Sequence, residues 1–94
     1  MNKRQTQEWF EKRHPDDQQM ADLVVPWLNP EARYNVLTVD DAYLIVGQFG
    51  YRGGVDMFDL LYLFKVGDRW HISADCQDKP IREIFDAMQR RMQT

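Results

Sequence analysis

With a single cysteine, Cys76, the chain has no partner for an internal disulfide, so packing alone must hold the fold. No apolar run approaches the roughly 18–20 residues that cross a bilayer; the longest candidate, Ala42 to Val46, is strand-sized. A membrane-spanning role is therefore not expected. The polar opening MNKRQTQEW lacks the apolar run of a secretory signal. Together with the lone cysteine, this makes a cytoplasmic setting the expectation. Charge of one sign is also scarce, because 12 Lys and Arg stand against 15 Asp and Glu, a net charge of −3. That balance lacks the basic footprint behind most nonspecific nucleic-acid affinity, and it is too mild for an acidic nucleic-acid mimic. Paired thiols and paired histidine motifs are missing as well, so neither a metal nor a cofactor is implied.

What is present suits a folded domain. Ninety-four residues are 44% hydrophobic, with five Phe, four Tyr and three Trp, enough for one core and too few for two. Residues 1–94 therefore read as a single domain.

The N-terminal third has helical character. Thr6 is a candidate cap for a first helix carrying Trp9 and Phe10, which His14-Pro15 stops, and Pro15 suits the start of a second. Met20, Leu23, Val24, Trp27 and Leu28 recur at helical spacing, and Pro26 predicts an end near Val25. From Tyr34 the pattern becomes β. Tyr34–Val39 and Ala42–Phe49 flank an Asp40-Asp41 break, the glycine-rich segment Gly50 to Gly54 turns the chain into Val55–Val66, and Gly67-Asp68 turns it into Arg69–Asp75. A helix begins at Pro80, with Ile81, Ile84, Phe85, Met88 and Met92 on one side and Arg90 and Arg91 near its end. The expected fold is α+β: two short N-terminal helices, a four-stranded antiparallel meander and a C-terminal amphipathic helix.

A two-residue turn at Gly67-Asp68 fixes a register that pairs Lys65 with Trp70, Leu63 with Ile72 and Leu61 with Ala74. The opposite face then carries Phe58, Leu60, Tyr62 and Phe64 beside His71, Ser73 and Asp75. An apolar sheet face must be covered, so this row is second core, an interface or a ligand cup.

The chemical candidates are few. The glycines around Gly50 lead into a strand rather than a helix N-terminus, which makes them turn residues rather than a phosphate cradle. Alternation sets His71 and Cys76 on opposite faces and denies the thiol a base. Asp40-Asp41 and Asp75/Asp78 sit at turns or element ends. Asp59 differs, because it interrupts an apolar strand and needs a partner if buried.

The stretch from Leu60 to Ser73, containing LYLFKVGDRWHIS, resembles the late hairpin of nuclear-transport-factor-2-like domains, where a glycine turn precedes a strand tryptophan. The resemblance implies a curved sheet around an apolar cavity; that family ends in strands, whereas this chain ends in a helix. The order of helix, strands and final helix is also similar to the double-stranded-RNA-binding domain, whose lysine-rich last helix is missing here.

These observations favour a non-enzymatic interaction module, of the accessory, inhibitor or immunity type carried by phages and mobile elements. Its partner is another protein or a second copy in a homodimer. The candidate binding residues are Tyr51, Arg52, Phe58, Tyr62, Phe64 and His71, since aromatics and Arg dominate interface energetics. The alternative is a small-molecule domain binding an apolar ligand in the cup, oriented by Tyr62, His71, Ser73 or Asp75.

Overall fold

The computed structural model describes residues 1–93. It contains α1 (Lys3–Arg13), α2 (Gln18–Val24), a single 3-10 turn (Val25–Trp27), β1 (Arg33–Val39), β2 (Ala42–Arg52), β3 (Val55–Val66), β4 (Arg69–Pro80) and α3 (Ile81–Met92). The strands form one antiparallel sheet in the order β1-β2-β3-β4, so the fold is the expected α+β meander flanked by helices.

Local chemistry starts and stops these elements. Asn2 caps α1 in a box with Gln5: its side chain accepts the Gln5 N–H, and the Gln5 side chain accepts the Asn2 N–H. Thr6, expected as the cap, instead lies one turn inside, buried, its hydroxyl donating to the Asn2 carbonyl at 2.7 Å. Asp17, rather than Pro15, opens α2 by accepting the Met20 N–H. Pro26, which has no N–H to give an α-helix, converts the end of α2 into the 3-10 turn.

The β2–β3 hairpin closes on Gly53-Gly54 alone. Both glycines have positive φ, 59° and 84°, the combination a two-residue hairpin turn needs. Gly50 does not belong to that turn. With φ 68° it forms a bulge inside β2, and the strand continues to Arg52.

The turn at Gly67-Asp68 sets the expected pairs Lys65–Trp70, Leu63–Ile72 and Leu61–Ala74. β4 does not stop at Asp75, however. It runs to Pro80 through two irregularities opposite Asp59 and Leu60. At the first, Asp78 takes a positive φ of 57° and its N–H donates to the Asp59 carboxylate at 2.9 Å, while its own side chain pairs with Arg52. Asp59 has the partner that its position in an apolar strand requires. Burial pushes its carboxyl above the ordinary range, against the pull of the Asp78 N–H.

The helices cover both faces of the sheet. On one, Phe10, Met20, Val24 and Leu28 pack on Tyr34, Tyr43, Ile45, Leu61, Leu63 and Trp70. The Tyr34 ring folds across Gly47, where a side chain would collide with it, and its hydroxyl accepts the Asn29 N–H at 2.5 Å. On the other face, Ile84 and Ala87 of α3 pack on Leu44 and Leu60.

Candidate functional site

α3 decides what the second face exposes. It follows β4 directly and returns along the sheet, lying over β3 and β4. Cross-sheet pairing puts Leu37, Leu44, Tyr62 and Ser73 in one row beneath it, and Asn35, Val46, Leu60 and Cys76 in the next. An α-helix is about 10–12 Å across and strands lie about 4.8 Å apart, so one helix covers two strands. The side chains of α3 also bury Leu44 of the next strand, β2, so the part of this face left open is the β1 edge.

Helical geometry adds a second apolar surface at right angles to that floor. At about 100° per residue, Ile84, Ala87, Met88 and Arg91 point toward the sheet. Glu83, Asp86 and Arg90 point toward the β4 edge, where with Ala74 to Gln77 and Lys79 they line an open, polar depression of about 490 Å³. Ile81, Phe85 and Met92 point the opposite way, toward the β1 side. These three side chains are 37%, 56% and 58% exposed, and Leu37 on the floor below is 42% exposed. The stripe that reads as core in the sequence is too wide for the strands beneath it, and its outer half faces solvent.

One ionic clamp fixes the far end of α3. Arg91 Nε and a terminal nitrogen donate to the two oxygens of Asp75, both at 2.7 Å, and the guanidinium lies 4.4 Å from the centre of the Tyr62 ring. Ser73 Oγ donates to Asp75 at 2.8 Å. Burial alone would raise the Asp75 carboxyl, but the hydrogen bonds and charge of Arg91 with the Ser73 hydroxyl outweigh it and hold the group below its ordinary range.

The six candidate residues from the sequence do not form one patch. Tyr62, Phe64 and His71 come together as a ladder of stacked rings, with centroids 5.0 and 5.7 Å apart, at the Arg91 end of α3. Phe58 is packed under the helix. Tyr51, 71% exposed, and Arg52 sit at the β2–β3 tip, with Arg52 engaged by Asp78. Tyr51 pairs with Asp56, eight residues from Phe64 along β3, so the two groups stand about 26 Å apart.

Cys76 requires a correction. The irregularity opposite Leu60 inserts an extra residue, so Cys76 shares its face with His71 instead of opposing it. Their β3 partners, Leu60 and Phe64, are four residues apart, about 13 Å, and the thiol and imidazole make no pair. Burial, with the nearby Asp75 charge, pushes the thiol up, away from thiolate.

On the opposite face, His14 Nε2 lies 2.7 Å from the Tyr43 hydroxyl within a cluster of edge-on rings including Trp9, Phe10 and Trp70. With Asp40, Asp41 and Lys65, His14, Tyr43 and Trp70 rim an open depression of about 460 Å³. Here the imidazole ties the end of α1 to the sheet. Sequence reasoning passed over Leu37 and the exposed half of α3, although the five-residue breadth of the α3 stripe was visible. Comparison with family models, with curated proteins and with solved structures returns no match, so the geometry of the chain carries the functional reading.

Proposed function

We propose that this chain is a protein-interaction module that docks through the side of the sheet bearing α3, by the open β1 edge and the exposed flank of the helix. The carrying observation is that Phe85, Met92, Ile81 and Leu37, all large and apolar, stand exposed along two surfaces that meet at an angle. Clustered apolar side chains of this kind mark association sites, whereas isolated ones do not. Tyr62, Phe64 and His71 extend the same side at one end and supply the aromatic rim common at interfaces. The small accessory, inhibitor or immunity type is the class such a module fits.

The small-ligand reading asks for an enclosed apolar cavity. The depression beside Tyr62 and Phe64 is open and about 220 Å³, and Asp40, Asp41, Lys65 and Arg91 share its lining, so docking is the better supported use.

Gel filtration of a fresh lysate tests the proposal. The wild-type chain is expected in an assembly larger than its 11.3 kDa, and Phe85→Glu is expected to elute as the free chain. Elution of both as the free chain defeats the interaction reading.

A further inference from the structure

The α3 side of the sheet has the shape of a step. Its tread is the β1 edge, with Leu37 in its middle, Val39 beside the turn and the half-buried Val46 of β2 behind it; its riser is the flank of α3 formed by Ile81, Phe85 and Met92. Building on the docking reading above, we propose that the occupant of this step is the same step of a second copy of the chain.

Three observations select that occupant. The first is fit. A helix on a sheet makes a riser about 10 Å high, and two sheets packed face to face also lie about 10 Å apart. A two-fold axis along the strands therefore brings tread against tread while each riser closes against the other copy's β1 edge. One contact generates its mirror, as an isologous interface requires. A lone helix laid on the tread would leave its far side in water, whereas the β1 edge and α3 flank of a second copy cover both surfaces of both copies.

The second is the placement of charge. Arg33 and Gln48 form the row at one end of the tread, and Asp40 and Asp41 form the turn at the other. Between them lie apolar Leu37 and Val39 and the neutral Asn35, so the charges fall on a solvated rim and none is buried at the centre.

The third is area. With full side-chain areas of about 200 Å², the exposures of Phe85, Met92, Ile81 and Leu37 amount to about 350–400 Å² of apolar surface per copy. Homodimer interfaces are about 65% apolar, so two such patches correspond to about 1,100–1,200 Å² buried in total, at the lower edge of the size of specific interfaces. The expected dimer is therefore weak and reversible.

Sedimentation of the purified protein over a wide concentration range tests this. The mass should climb from 11.3 kDa toward twice that value. Phe85→Glu on the riser and Leu37→Glu on the tread should each raise the dissociation constant at least about tenfold. Trp27→Glu, exposed on the α2 side of the sheet, should behave as wild type, and circular dichroism checks that each variant is folded. A wild type that stays at 11.3 kDa overturns the second-copy occupant; if the lysate assembly is nevertheless lost with Phe85→Glu, the docking reading stands with a different partner. A dimer that survives either glutamate, or that Trp27→Glu abolishes, overturns the step-to-step arrangement.

Discussion

Replacing Asp75 with Asn removes the charge that Arg91 grips and exchanges one of two acceptor oxygens for a donor that faces the guanidinium. In the wild type both N–H···O contacts are 2.7 Å, and the side chains of Asp75 and Arg91 are 11% and 37% exposed. Hydrogen bonds to charged groups contribute about 1.5–3 kcal/mol where they are dry, and the partial exposure of Arg91 reduces this toward about 1–2 kcal/mol. For a chain of this length, each kcal/mol moves the melting temperature by about 4–8 °C, so a drop of roughly 4–16 °C is expected in thermal denaturation at pH 7. The pH dependence has a definite sign. The folded carboxyl is held below its ordinary value of 3.8, so its contribution is present above that pH and fades as pH falls through the lower folded value. The gap between wild type and Asp75→Asn should therefore shrink in acid. A gap absent at pH 7, or one of undiminished size once the carboxylate is protonated, would refute the role given to the clamp.

Three further substitutions probe separate parts of the fold. Gly47→Ala places a Cβ against the Tyr34 ring, 2.9 Å from Cδ1; overpacking of this kind costs about 1–3 kcal/mol, and an unchanged denaturant midpoint would show that the ring does not close over Gly47. Tyr34→Phe leaves the Asn29 N–H without its acceptor and should cost about 1–2 kcal/mol, read as a lowered urea midpoint with an unchanged slope. Asp59→Asn keeps an oxygen for the Asp78 N–H while relieving the burial of a charge. Because the folded Asp59 carboxyl lies above 3.8, its ionisation opposes folding as pH rises through that interval. The asparagine variant should therefore melt at or above wild type at pH 7 and converge with it below 3.8; a lower melting temperature at pH 7 would contradict this.

Much of the fold was legible because its signals are local. Gly67-Asp68 specifies a two-residue turn, and once the turn is placed, alternation sets every pair from Lys65–Trp70 to Leu61–Ala74. The last five residues of β4 were not legible. Gln77, Asp78 and Lys79 have the composition of a loop, and the groups that hold Asp78 in the sheet, Asp59 and Arg52, lie 19 and 26 residues away. The face of Cys76 was misread for the same reason, since a bulge reverses alternation without a sequence mark as plain as glycine. Thr6 was the expected cap, and Asn2 was passed over. Asn2 with Gln5 had the capping-box spacing, and burial assigned Thr6 to the core.

The exposed step was hidden by a different limit. Periodicity shows which helix residues are apolar, but the number buried depends on the width of the surface below and on which strands the helix crosses. The direct β4–α3 connection sets α3 over β3 and β4, and Arg91 holds it there through Asp75. Phe85 and Met92 are turned outward by that placement. Tyr51 and Phe64, which composition alone joins into one surface, are parted by the length of β3.

Site-specific photo-crosslinking in living cells tests the docking face most directly, with a benzophenone amino acid in place of Phe85 and, as a control, in place of Tyr51 at the hairpin tip. A discrete adduct is expected from position 85 and none from position 51, and an adduct of twice 11.3 kDa identifies the second copy. No adduct from position 85, or the same adduct from both positions, would contradict the assignment of the α3 flank as the docking surface.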